Sequence, residues 1–224
     1  MPPQVYHDVF ISESIGSVGA IVDEVKNAKQ VLLLAHGAGA GMEHEFMSDL
    51  AEGLCKEGFT IIRFNFPYMQ HGKRRPDFPP VVYKTIENLI EFAQKQYPKL
   101  DLILSGKSFG GRMSSQYVAK YQPDNVKGII FFGFPLHAMG KPSTERSKHL
   151  ADINLPMLFL QGSNDKLADL SLLRPVLSQI NTAKLKVLDA ADHSFKAPKK
   201  SGLNKEAVYQ WLVSETKYWI AQNI

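Results

Sequence analysis

Residues 100–112 read LDLILSGKSFGGR: an apolar run ends in Gly106-Lys107-Ser108-Phe109-Gly110, and a segment of helical composition follows without a break. A G-x-S-x-G pattern set between a strand and a helix is the context of a nucleophile elbow, a sharp corner that lifts a serine hydroxyl clear of the sheet. Small residues two places before and after the serine are needed because strand and helix backbones approach too closely there for a Cβ. The stretch therefore predicts Ser108 as a nucleophile at the carboxyl end of a buried strand. The plainer alternative is a Gly-rich corner with an incidental serine.

Apolar runs of strand length recur at 31–35, 59–65, 100–105, 126–132, 155–160 and 185–189, most of them followed by a polar or Gly-rich corner. Continuous apolar strands are buried on both faces, which implies a parallel sheet covered by helices. Helical spacing is expected over 43–56, 80–97, 109–121, 169–180 and 205–222. In the second of these Val82, Ile86, Leu89 and Ile90 fall at i, i+4, i+7 and i+8 and build one apolar stripe. Two β-branched segments, 5–12 and 18–25, open the chain as a strand pair. With no internal repeat and no long linker, residues 1–224 are expected to form a single doubly wound α/β domain, its sheet mostly parallel with helices on both faces.

A serine hydroxyl needs a base, and the base needs an orienting acid. Asp165 ends the strand-like run before Gly162-Ser163-Asn164-Asp165, and His193 follows the next run in Asp189-Ala190-Ala191-Asp192-His193. In a parallel sheet both corners fall at the same edge as Ser108, in the chain order serine, acid, histidine. Asp169, placed to cap a helix, and Asp192, adjacent to the histidine, compete with Asp165. Among the other histidines, His36 precedes the serine, His149 lies in a polar run expected to be solvated, and His71 and His137 occupy corners that could border the cleft.

An oxyanion hole needs backbone N–H groups aimed where charge develops. The turn Gly37-Ala38-Gly39 after the first long apolar run supplies one, with Ala38 the expected donor and Gly39 next, and Phe109 after the serine supplies the second. A dinucleotide-binding loop would also begin Gly37-x-Gly39. That reading fails because Met42 stands where the third small residue belongs and no acid ends the following strand at Phe64-Asn65.

Composition sets the outer limits. The chain has 224 residues, of which 44% are hydrophobic and 21% charged, as in ordinary folded proteins. One cysteine, Cys55, precludes an internal disulfide framework and a Cys-based zinc site, and neither a metal nor an organic cofactor is expected. The N-terminus shows no secretory pattern and no run approaches the length of a membrane span, so a cytoplasmic location is expected, without membrane partners. A net charge of +4 is too small to argue nucleic-acid binding. The basic runs 73–75 and 196–200 lack interleaved stacking aromatics.

Taken together, Gly106 to Arg112, Phe64-Asn65-Phe66-Pro67-Tyr68, Phe134-Pro135-Leu136-His137 and Gly162 to Asp165 resemble the α/β-hydrolase superfamily, in its small branch related to dienelactone hydrolases. The resemblance implies an α/β-hydrolase fold. The short interval 133–154 leaves no room for a cap domain. Dienelactone hydrolases proper carry a cysteine nucleophile where this chain has Ser108, so their substrate does not transfer. The expected function is a serine hydrolase of a small carboxylic ester or thioester; the alternative is a non-catalytic interaction module retaining the fold. Substrate contacts are expected from Gly37, Gly39, Tyr68, His137 and Arg75; for the basic run 73–75 the plainer reading is that its side chains splay into water, and the sharper one is that Arg74 or Arg75 turns inward to pair with an anionic group of the substrate.

Overall fold

The computed structural model describes residues 4–224, so the reading of the extreme N-terminus lies in part outside the described residues. Eight strands form one sheet: β1 Gln4–Ser12, β2 Gly16–Asp23, β3 Gln30–Ala35, β4 Thr60–Phe64, β5 Asp101–Lys107, β6 Val126–Phe132, β7 Met157–Gly162 and β8 Ala183–Leu188. Their order is β1-β2-β4-β3-β5-β6-β7-β8. The first two strands pair antiparallel with each other, and β2 pairs antiparallel with β4; every later pairing is parallel. Six α-helices accompany the sheet: α1 Glu45–Lys56, α2 Pro67–Gln70, α3 Pro79–Gln96, α4 Phe109–Tyr121, α5 Leu170–Ser178 and α6 Lys205–Asn223.

The period of two along each strand divides the core. On β3, Val31, Leu33 and Ala35 join the apolar faces of α3 and α4, while Leu32 and Leu34 join those of α1 and α6. Edge strand β8 departs from the apolar pattern because only part of it is covered. Its Lys186 reaches Glu215 of α6 at 2.9 Å. One charge sits inside the apolar run of β4: buried Arg63 donates from Nε to Asp23 Oδ2 at 3.0 Å and through Nη1 to the Met42 carbonyl and Ser48 Oγ. Buried charges persist only when paired and fully hydrogen-bonded, and this pair ties β2, β4 and the start of α1 together.

The chain runs from β3 outward to β4, then crosses back to lay β5 on the other side of β3. Connections leaving β3 and β5 therefore diverge, and a crevice opens at their carboxyl ends, where open α/β sheets bind ligands. Between β6 and β7 the chain makes an irregular loop and a 3₁₀ helix, Glu145–Asp152, and no cap domain covers that edge. His149 of this helix is not solvated: its Nε2 lies 2.8 Å from Ser115 Oγ, and burial next to Arg112 lowers its pKa to about 4.

Candidate active site

Ser108 lies between β5 and α4 with φ 49° and ψ −111°, a backbone conformation costing about 1–3 kcal/mol for a residue with a side chain. The corner is tight on both sides. A Cβ on Gly106 would lie 2.4 Å from the Gly111 nitrogen, and one on Gly110 would lie 2.6 Å from the carbonyl oxygens of Ala35 and His36. Both glycines are thus required by contact, and together they hold the first turn of α4 against β3 and β5.

Three corners of the sheet edge converge on Ser108. His193 Nε2 lies 2.8 Å from Ser108 Oγ, and His193 Nδ1 lies 2.6 Å from Asp165 Oδ2. A carboxylate at Asp165 accepts from Nδ1–H, which leaves Nε2 to accept from the serine hydroxyl. The Asp165 side chain is fully enclosed, whereas that of His193 is 21% exposed toward the cleft. Asp165 Oδ1 accepts from the Leu167 N–H at 2.7 Å, and its Oδ2 also accepts from Gln161 Nε2. Gln161 is wholly buried and spends its carbonyl oxygen on the Phe134 N–H at 3.0 Å, so the amide cannot turn away. The rival acids are occupied locally: Asp169 caps α5 by accepting from Ser171, and Asp192 accepts from the Ser194 and Lys196 N–H groups.

The turn after β3 faces this trio, and Gly37, Ala38 and Gly39 line the cleft beside Ser108. Among the described residues the N–H groups of Ala38 and Phe109 have no protein acceptor. His36 anchors the turn from below: its Nδ1 donates to the Gly37 carbonyl at 2.7 Å and its Nε2 accepts from the Phe66 N–H at 3.0 Å. Those two bonds fix a neutral ring, and burial lowers its pKa to about 4. Tyr68 anchors the turn from α2, donating to the Ala38 carbonyl at 3.0 Å.

Three expected substrate contacts are corrected. Tyr68 is fully buried and serves the Gly37–Gly39 turn from behind. His137 is 5% exposed, with Nδ1 donating to the Ala138 carbonyl and Nε2 accepting from the Asp169 N–H, so neither nitrogen is free for a ligand. Arg75 is exposed on the loop after α2 and lies 5.8 Å from the Phe78 ring centroid, away from the cleft lining. A guanidinium stacked on an exposed ring remains hydrated and needs no ligand carboxylate.

The cleft itself, about 780 Å³, opens on the α1 and α6 side of Ser108. Phe46, Met47, Phe195, Val208 and Tyr209 give it an apolar wall, and Lys107, Lys196 and Lys205 add cationic groups. Sequence reasoning placed none of these wall residues, because they come from α1, α6 and the corner after β8. Among the described residues no three His, Cys, Asp or Glu side chains gather as a metal site would need, and no helix is long and apolar enough to cross a membrane. Cys55 is buried on α1, and burial pushes its thiol up to about 12, which makes it unreactive.

A family model described as "Alpha/beta hydrolase domain" matches residues 28–221. A proline iminopeptidase from Thermoplasma volcanium is 30% identical over 116 residues, 50% of this chain and 37% of that protein, so the chain spans little more than a third of that relative's length. Dienelactone hydrolase from Anabaena variabilis superposes with a TM-score of 0.78 at 16% identity, covering 100% of this chain and 99% of that one. A serine hydrolase without a lid from Xanthomonas campestris superposes with a TM-score of 0.74 at 18% identity, covering 98% and 94%. The match over 28–221 shows that the chain belongs to the α/β-hydrolase family, and it shares its fold, with the sheet edge uncapped among the described residues, with the dienelactone hydrolase and the lidless Xanthomonas protein.

Proposed function

We propose that this protein hydrolyses a small carboxylic ester or thioester through an acyl-enzyme on Ser108. The observation carrying the reading is the unbroken relay from Asp165 Oδ2 through both nitrogens of His193 to Ser108 Oγ, at 2.6 and 2.8 Å. In this reading Ser108 Oγ forms a bond to the substrate carbonyl carbon while its proton passes to His193 Nε2. Asp165 stabilises the imidazolium, and the N–H groups of Ala38 and Phe109 hold the oxyanion. The leaving alcohol or thiol then takes the proton from Nε2. Water, deprotonated by the same nitrogen, attacks the acyl carbon and releases the acid and free Ser108.

The charge of the cleft favours an ester or thioester over the N-terminal peptide implied by the iminopeptidase relative. Of its cations, Lys205 pairs with Glu45 and Asp49 and Lys107 bonds the His193 carbonyl, so among the described residues the exposed, unpaired charge of the lining is Lys196, and its one carboxylate, Glu45, is already paired. A substrate ammonium would enter against like charge. Turnover of p-nitrophenyl esters, an acyl thioester and prolyl p-nitroanilide tests this. Hydrolysis of the first two, abolished in Ser108→Ala, with the anilide untouched, is expected. Wild-type rates equal to those of Ser108→Ala on all three would overturn the reading in favour of a non-catalytic module.

A further inference from the structure

The residue before the serine takes no part in that mechanism, yet it is enclosed beside it. Lys107 leaves the end of β5 and runs beneath the corner carrying His193, where its Nζ donates to the His193 carbonyl oxygen at 2.5 Å. Phe46 of α1 and Phe195 stack 6.0 Å apart, and Nζ lies 5.7 Å and 5.4 Å from their centroids. Gly133, after β6, closes another side: a Cβ there would stand 3.1 Å from Nζ. Packing alone would be served better by an apolar side chain, since enclosing an amine forfeits its hydration. The corner itself is under torsional load, with Ala190 at φ 60° and Phe195 at φ 59°.

We propose that Lys107 is a positioning residue for His193: its ammonium clamps the His193 carbonyl, holds the strained corner 190–197 closed, and so keeps the imidazole at hydrogen-bond distance from Ser108. The catalytic consequence rests on the serine-hydrolase reading; the clamp does not. The groups facing the amine are Asp165 from the corner after β7, Asp192 and His193 from the corner after β8, Phe46 from α1 and Gly133 from the corner after β6. Asp165 and Asp192 favour the charged form, but enclosure outweighs them and lowers the Lys107 pKa to about 8. Below that pH the clamp is a charge-assisted hydrogen bond. Above it a neutral amine donates about half as strongly, and the corner loosens.

Two readouts test the clamp. The first is the rate of Ser108 labelling by an alkyl fluorophosphonate from pH 6 to 10. Wild type is expected to slow several-fold above pH about 8. Lys107→Met is expected to label about tenfold more slowly at pH 7 and to lack the alkaline fall. Lys107→Gln, a neutral donor, should lie between them and also lack it. Persistence of the alkaline fall in either variant, or wild-type rates at pH 7 in both, would overturn the proposal. The second readout needs neither a variant nor turnover: hydrogen-exchange protection factors for the Phe195 and Lys196 amides of wild type, which donate within this corner, should fall across the same pH range. Constant protection would overturn the clamp even if no variant folds. Falling protection in a wild type whose Ser108 never labels would support the clamp and defeat the hydrolase reading.

Discussion

Two histidines stand after strands at the same edge of the sheet and share one wiring plan, yet they differ in what sits at the ends of the wires. His36, after β3, donates from Nδ1 to the Gly37 carbonyl and accepts at Nε2 from the Phe66 N–H. His193, after β8, meets the Asp165 carboxylate at Nδ1 and the Ser108 hydroxyl at Nε2. Backbone partners hold the first ring neutral and in place. A carboxylate and a hydroxyl leave the second able to gain and pass on a proton. A carbonyl carries no net charge with which to stabilise an imidazolium, whereas a carboxylate does. Position at the strand end is common to both; the chemistry of the partners separates a support from a candidate base.

The largest effect should come from giving His193 a neutral partner like that of His36. Asp165→Asn keeps the volume but offers an amide to Nδ1, which disfavours the tautomer with Nε2 free. Ester turnover should fall by about 10⁴-fold, as in the serine-protease template, while the buried Gln161 amide, left facing a second donor, costs about 1–3 kcal/mol of urea stability. A fall of less than tenfold would show that Asp165 does not orient the base.

The smaller effect lies on the other side of the comparison and is read in stability. Unfolded, a histidine takes up its proton as pH drops through about 6.5. Folded His36 does so only near about 4. The unfolded state therefore binds more protons between those values, and folding stability should decline as pH falls across that window, by on the order of 3 kcal/mol from this residue. His36→Leu should remove that increment of slope and, by leaving the buried Phe66 N–H unpaired, cost about 1–3 kcal/mol at pH 7. His149 titrates in the same window, so the quantity to compare is the difference between wild type and variant in urea unfolding at pH 4.5 and 7. An unchanged slope would mean that the His36 ring is not held neutral.

What the sequence disclosed follows the range of the signals. The elbow and the apolar strands are local patterns, and Ser108, Asp165 and His193 could be read from strand ends and chain order. The supports could not. Gln161 looks like a polar residue ending an apolar run until Asp165 and Phe134 are placed around it. Tyr68 reads as a cleft residue from sequence because nothing local marks the short helix α2 between a strand and a basic loop. Lys107 meets His193, Phe46 and Phe195, partners from three distant segments. For the basic run 73–75 the plainer of the two readings holds: Arg75 stands on an exposed loop against water and the Phe78 ring.

If the relay through His193 makes Ser108 a nucleophile, site-resolved labelling will find the serine reactive. Wild-type protein treated with an alkyl fluorophosphonate, then digested and weighed by peptide mass spectrometry, should carry one phosphonyl group on the peptide containing Ser108. His193→Ala and Ser108→Ala should carry none. A wild-type Ser108 peptide that remains unmodified, or a Ser108→Ala protein labelled as fully as wild type, would show that Ser108 is not an activated nucleophile.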